Sequence, residues 1–333
     1  MKQVLLFLLF STLSFSQTLI VRDDNLINTL VSIENERMYL FYPDKLIDVN
    51  LHDFSTKDVL YDFPNIDFKS FIGVSVNFKY YFLDPQGGGI YLFENNKFKR
   101  IDTSYKHRMQ IESSVFTYKN GIYKYGGYGF WSNRNFITKF NFETNQWDFV
   151  PHLNSKELPS GSHRSIVKII EDDLYVYGGV KVSKFNPDIM EDNNEIWKFN
   201  FINKVWKKLG VNNLQRDNIL NNTKIDYGNK SLFFDRKTNT SSHIDFTNNT
   251  LLTYKNSTLL NSLSSLPISF FYKNKFYLFI KENPSSTIIV LKTRGEDEIL
   301  GEIIDHKSFY RNESVILISM VIIGSILILI VVS

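Results

Sequence analysis

Apolar residues in this chain come in short runs of five to seven, set apart by Gly, Asn, Asp and Pro, with no sustained amphipathic-helix pattern. The runs at 37–42 (RMYLFY), 79–83 (KYYFL), 121–125 (GIYKY), 173–177 (DLYVY), 230–235 (KSLFFD) and 275–281 (KFYLFIK) each read as a strand. Partner strands are expected at 46–51, 89–93, 242–246 and 287–292. Near the middle a longer unit is written twice. GIYKYGGY at 121–128 precedes FITKFNFETNQWDFV at 136–150, and DLYVYGGV at 173–180 precedes EIWKFNFINKVWKKL at 195–209. Counting along the chain through Tyr39, Tyr81, Tyr123, Tyr175, Phe233 and Tyr277 gives steps of 42, 42, 52, 58 and 44 residues. Strand-rich sequence repeating at that spacing predicts an all-β β-propeller of six four-stranded blades, strands a to d from the axis outward.

The conserved order within the twice-written unit has a physical reason. Gly126-Gly127 and Gly178-Gly179 end strand b, where backbones crowd and φ > 0 is useful. Trp147 and Trp206 open strand d, where an indole can cover the seam between blades and bury roughly 150–250 Å². The Phe-Asn-Phe at 140–142 and 199–201 ends strand c and leads into a tight turn. This order resembles the Kelch repeat over residues 113–210, and that resemblance implies a Kelch-like propeller spanning about 17–310. It also implies that a His or Arg before strand a, here His163 and Arg164, ties adjacent blades together.

Composition narrows the function. The net charge of +3, without a basic cluster interleaved with aromatics, points away from nucleic acid. No cysteine is present, which excludes disulfides, thiolate metal sites, a Cys nucleophile and the Cys–Tyr cross-link of a copper oxidase on a similar scaffold. Neither a Gly-x-Ser-x-Gly elbow nor a His-Glu-x-x-His helix occurs, and the six His show no ligand spacing, so no cofactor, no metal and no catalytic residue is expected.

Two segments stand apart from the ring. Residues 1–16 carry Lys2, an apolar core and small residues at Ser14 and Ser16, the pattern of a signal peptide. Residues 315–332 hold no charge and, as a helix, reach roughly 27 Å, enough to cross a bilayer. The ring is therefore expected outside the cytoplasm, periplasmic or extracellular, on a single-pass C-terminal transmembrane helix. No Lys or Arg follows that span as a stop-transfer flank, so a cytoplasmic part is expected beyond Ser333.

Meander geometry puts the b–c loops and the d–a links on one face. That face should gather Trp131 and Arg134 from one loop with His107, Arg108, His163 and Arg164 from the links. Arg can hold a carboxylate bidentately and Trp can stack on a sugar ring, so a protein or glycan ligand is expected there. The first reading is an extracytoplasmic recognition or sensor module. The alternative is a membrane-anchored sugar-modifying enzyme, epimerase- or lyase-like, pairing Glu191 or Asp192 with His163 or Arg164. A third possibility is an adhesion ring.

Overall fold

Along each second strand, successive side chains enter different apolar clusters. In Arg37–Phe41, Met38 and Leu40 pack in one cluster while Tyr39 and Phe41 pack in the next. In Lys79–Leu83, Tyr81 and Leu83 part in the same way from Phe82. A period-2 strand that is apolar on both faces must lie between two other sheets, and repeating that condition around a closed circle gives a propeller. A computed structural model describes residues 19–22, 24–62, 68–86, 88–103, 109–153, 157–183, 185–186, 188–212, 223–235, 238–255, 269–281 and 286–311. Among the described residues it contains six antiparallel sheets of four or five strands, and two further two-stranded hairpins.

Blade 1 is Asn28–Ser32, Arg37–Phe41, Leu46–Asn50 and Thr56–Val59, and blade 2 is Ile72–Val76, Lys79–Leu83, Ile90–Glu94 and Lys97–Arg100. Blade 3 is Ser114–Tyr118, Gly121–Tyr125, Ile137–Asn141 and Gln146–Phe149. Blade 4 is Ile166–Ile170, Asp173–Tyr177, Glu195–Asn200 and Val205–Asn212. Blade 5 is Thr223–Tyr227, Lys230–Asp235, Thr240–Asp245 and Thr250–Lys255. Blade 6 is Phe270–Tyr272, Lys275–Lys281 and Ile288–Arg294, and its outer strand is the N-terminal Ile20–Arg22, paired antiparallel with Ile288–Val290. The chain thus closes its ring with its own beginning, leaving no gap between last blade and first.

Six apolar clusters fill six seams. Trp147 lies at the seam of blades 2 and 3 with Tyr81, Leu83 and Phe140, and Trp206 at the seam of blades 3 and 4 with Tyr125 and Phe199, as the sequence pattern implied. The expected strands b and c all form. One position in the count is corrected: Leu232, facing Ile225, stands where Tyr81 and Tyr175 stand, because the fifth blade's register is offset by one from Phe233. Phe233 points into the preceding seam instead.

The chain continues past blade 6 in an unanticipated way. After the turn Glu296–Ile299, Ile303–Ser308 runs antiparallel to the outer strand of blade 5, and Tyr310–Arg311 pairs with the outer strand of blade 4. This C-terminal strap makes both sheets five-stranded. Phe309, fully buried, plugs into the seam between those blades against Tyr177 and Phe246. The expected signal at 1–16 and span at 315–332 lie outside the described residues. Among the described residues no helix is long and apolar enough to cross a membrane.

Candidate functional site

The Gly-Gly pairs explain how one face of the ring is built. Gly127 has φ +101 and a Cβ there would sit 2.6 Å from the backbone of Gln110; Gly179 has φ +85 and a Cβ would sit 2.7 Å from the carbonyl of His163. Only glycine allows both the backbone conformation and the contact. At these points strand b leaves its blade and passes directly over the link that enters strand a. Two bridges record the contact, Ile111 with Tyr128 and His163 with Val180.

Each passage opens into a protruding two-stranded hairpin, Tyr128–Gly129 with Ser132–Asn133 on blade 3 and Val180–Val182 with Met190–Asp192 on blade 4. The two hairpins flank the His163 link. His163 Nδ1 lies 3.0 Å from Asn133 Oδ1, and the His163 ring lies 5.9 Å from the Tyr128 ring. Arg164 donates from Nε and Nη2 to both carboxylate oxygens of Glu112, at 2.8 and 2.6 Å, joining the links of blades 3 and 4. His163 Nε2 stands 3.9 Å from the same carboxylate. The geometry thus brings Trp131, Arg134, His163 and Arg164 to one face, with His163 and Arg164 bonded across the blade boundary. His107 and Arg108 lie outside the described residues.

Arg134 braces its own hairpin. Its Nη2 donates to the Gly129 carbonyl at 2.9 Å, and its carbonyl accepts the Ser162 amide at 3.0 Å. Trp131 does the opposite: it is 90% exposed at the hairpin tip, next to Phe130 at 72%. Both tip residues have positive φ, +49 and +63. A two-residue hairpin with both central residues left-handed normally takes Asn-Gly, and bulky aromatics there cost about 1–3 kcal/mol each. On the neighbouring hairpin Phe185 is 97% exposed, and Ile189 and Met190 are also exposed. Phe185 carries no signal in the sequence, since one Phe in a polar loop has no telling spacing; the excursion after Gly178-Gly179 was the available clue.

Below this rim lies the central channel, a cavity of about 890 Å³ walled by the first strands of blades 1 to 5. Glu112 and Arg164 stand at its mouth with Pro85 and Gln86 from blade 2. Of the proposed acid–base partners, Glu191 is held 3.6 Å from Lys181 within the outer hairpin. Asp192 sits opposite Val180, the residue that bridges His163. Among the described residues no group of three His, Asp or Glu is arranged as metal ligands.

The fold and this face define a six-bladed β-propeller closed by an N-terminal outer strand. The solved structure of YjhT is similar over 84% of this chain and 98% of its own, with a TM-score of 0.54 and 10% sequence identity. At that identity the likeness shows the fold alone. No family model and no curated protein matches the sequence. A total of 603 solved chains match in structure, so the architecture by itself selects no chemistry.

Proposed function

We propose that this protein is a recognition module, a Kelch-like propeller that binds a protein or glycan through the hairpin face of blades 3 and 4. In this reading the ring sits outside the cytoplasm and is tethered by residues 315–332, as the sequence pattern suggests, and acts as a sensor or receptor domain. The observation that carries it is the tip at Phe130-Trp131. Two large aromatics are exposed there on backbone that disfavours them, with Phe185 exposed on the adjacent hairpin. Folding gains nothing from such residues, whereas a ligand gains a flat, rigid stacking surface. Strain kept at an exposed tip marks a position held for contact. Arg164 and Glu112 supply charge at the inner side of the same rim.

The test is a glycan-array and peptide-library screen with the purified chain, repeated with a Phe130→Gly/Trp131→Gly double variant. The variant is expected to melt no lower than the parent, because glycine relieves the left-handed turn, while losing at least tenfold in affinity for the parent's ligand. Undiminished binding by the variant would remove the tip from the site. A parent that binds nothing in either screen would remove the recognition reading.

A further inference from the structure

The inner strands of the blades are almost free of charge. Across Asn28–Ser32, Ile72–Val76, Ser114–Tyr118, Ile166–Ile170, Thr223–Tyr227 and Phe270–Tyr272, the charged residues are Lys168, Lys224 and Asp226. Strand register places them. The residue facing the middle of strand b is Leu30, Val74, Phe116, Ile225 or Phe270 in five blades and Lys168 in the sixth. Lys224 and Asp226 are of the opposite parity on blade 5 and face blade 4, so all three meet at one seam on the channel wall.

Their partners do not balance. Lys224 Nζ lies 2.8 Å from Asp226 Oδ2 and donates to the Val167 carbonyl at 2.7 Å. Asp226 Oδ1 also accepts the Ser231 hydroxyl. Lys168 Nζ lies 3.7 Å from Asp226 Oδ1, a longer approach than that of Lys224, although its side chain is only 7% exposed. Burial lowers the Lys168 pKa, Asp226 acts against that, and Lys224 adds to it. Two ammonium groups therefore share one carboxylate in a confined space and leave a local positive excess at this seam. The other charges bordering the cavity lie away from this seam: Arg164 pairs with Glu112 at the mouth, and Glu34, on blade 1, accepts the Phe78 amide and keeps its negative charge. A buried ammonium that shares its one carboxylate with a second cation is costly unless a further acceptor joins it.

We propose that the channel is a binding site for a small anionic molecule whose carboxylate or phosphate group is held by Lys168 and Lys224. The channel wall, with Val74, Val115 and Ile169, surrounds the rest of the molecule. This site is independent of the hairpin rim, and either can fail without the other.

The experiment titrates the purified full-length chain by calorimetry with sodium phosphate and, in a second arm, sodium succinate, at ionic strength fixed with chloride. Saturable binding in one arm identifies the head group. Lys168→Met and Lys224→Met should each weaken binding at least tenfold; methionine suits a position that is apolar in five blades. Asp226→Asn should tighten binding, because it removes the carboxylate that competes with the ligand. A purely structural ion cluster predicts no such opposite signs. The proposal is overturned if neither anion saturates, if Lys168→Met binds like the parent, or if Asp226→Asn binds more weakly. Should both lysine variants fail to fold, the gain or loss in Asp226→Asn decides.

Discussion

Lys124 and Val176 occupy equivalent positions on neighbouring blades, facing Val115 and Val167 on the preceding strands. Val176 is ordinary seam filling. Lys124 is buried, its Nζ has no hydrogen-bond partner among the described residues, and it rests 4.0 Å above the Trp147 ring. Burial pulls its pKa down to about 7, with Asp102 opposing the shift. A lysine lowered from its ordinary value of about 10.4 holds fewer protons folded than unfolded between those two pH values, so stability rises with pH across that window. Lys168, also lowered by burial, contributes in the same direction. Denaturant midpoints should therefore climb from pH 7 to 9.5. Lys124→Val should raise stability at pH 7 by an amount on the order of 3 kcal/mol and flatten most of that climb. A climb unchanged in the variant would mean that the ammonium is solvated. Glycine offers a second prediction at this scale. Gly179→Ala should cost about 2–3 kcal/mol in thermal or chemical melts, from strain and the clash with His163. Gly228, with φ +46 and nothing within 4 Å of a Cβ, should tolerate asparagine nearly without loss.

Among the elements, the turn between strands c and d shows best what was legible and what was not. The Phe-Asn-Phe repeat announced it on blades 3 and 4, where Asn141 Oδ1 accepts the amides of Glu143 and Thr144, and Asn200 Oδ1 those of Ile202 and Asn203. The same device recurs on blade 5, where Asp245 caps Thr247 and Asn248, and in reduced form on blade 1, where Asn50 receives His52. Asn and Asp do this work interchangeably, so the residue letters diverge while the geometry repeats. Missing Gly-Gly pairs have a similar origin. On blade 1 the b–c connection is a tight turn in which the Tyr42 amide donates to Lys45, so strand b never crosses a link and glycine is not required. The C-terminal strap was not legible at all, because its strand Ile303–Ser308 is mostly exposed and its one fully buried side chain is Phe309. Phe309→Ala should cost about 3–5 kcal/mol, or release the strap altogether. Hydrogen exchange across 303–311 distinguishes these outcomes: fast exchange confined to the strap means release, and unchanged protection means that other contacts hold it.

For the whole molecule, the ring was readable from the regular spacing of strands b, since six periodic strands with two apolar faces have few other ways to bury both. How the ring closes was not readable, because Ile20–Arg22 is only three residues long. Its side chain Val21 is buried among Leu19, Leu291 and Tyr277 at the seam of blades 6 and 1. Val21→Asp should expel that strand, bare the edge of Ile288–Arg294 and promote self-association, visible as higher oligomers in light scattering. A variant that stays monomeric with an unchanged melt would show closure to be dispensable. The face that carries Trp131, Arg134, His163 and Arg164 followed from meander geometry, whereas the charges in the channel emerged only when strand register was known. The two ends of the described chain are fastened by separate means, the N-terminal strand in blade 6 and the strap on blades 5 and 4. A pull on the chain beyond Arg311, directed away from the rim, therefore loads the strap first. That pull acts along the strap's own direction, so its pairs with the outer strands of blades 5 and 4 share the load as a shear. The strap should therefore act as a strain relief, yielding before the blades do and leaving the hairpins of the rim undisturbed.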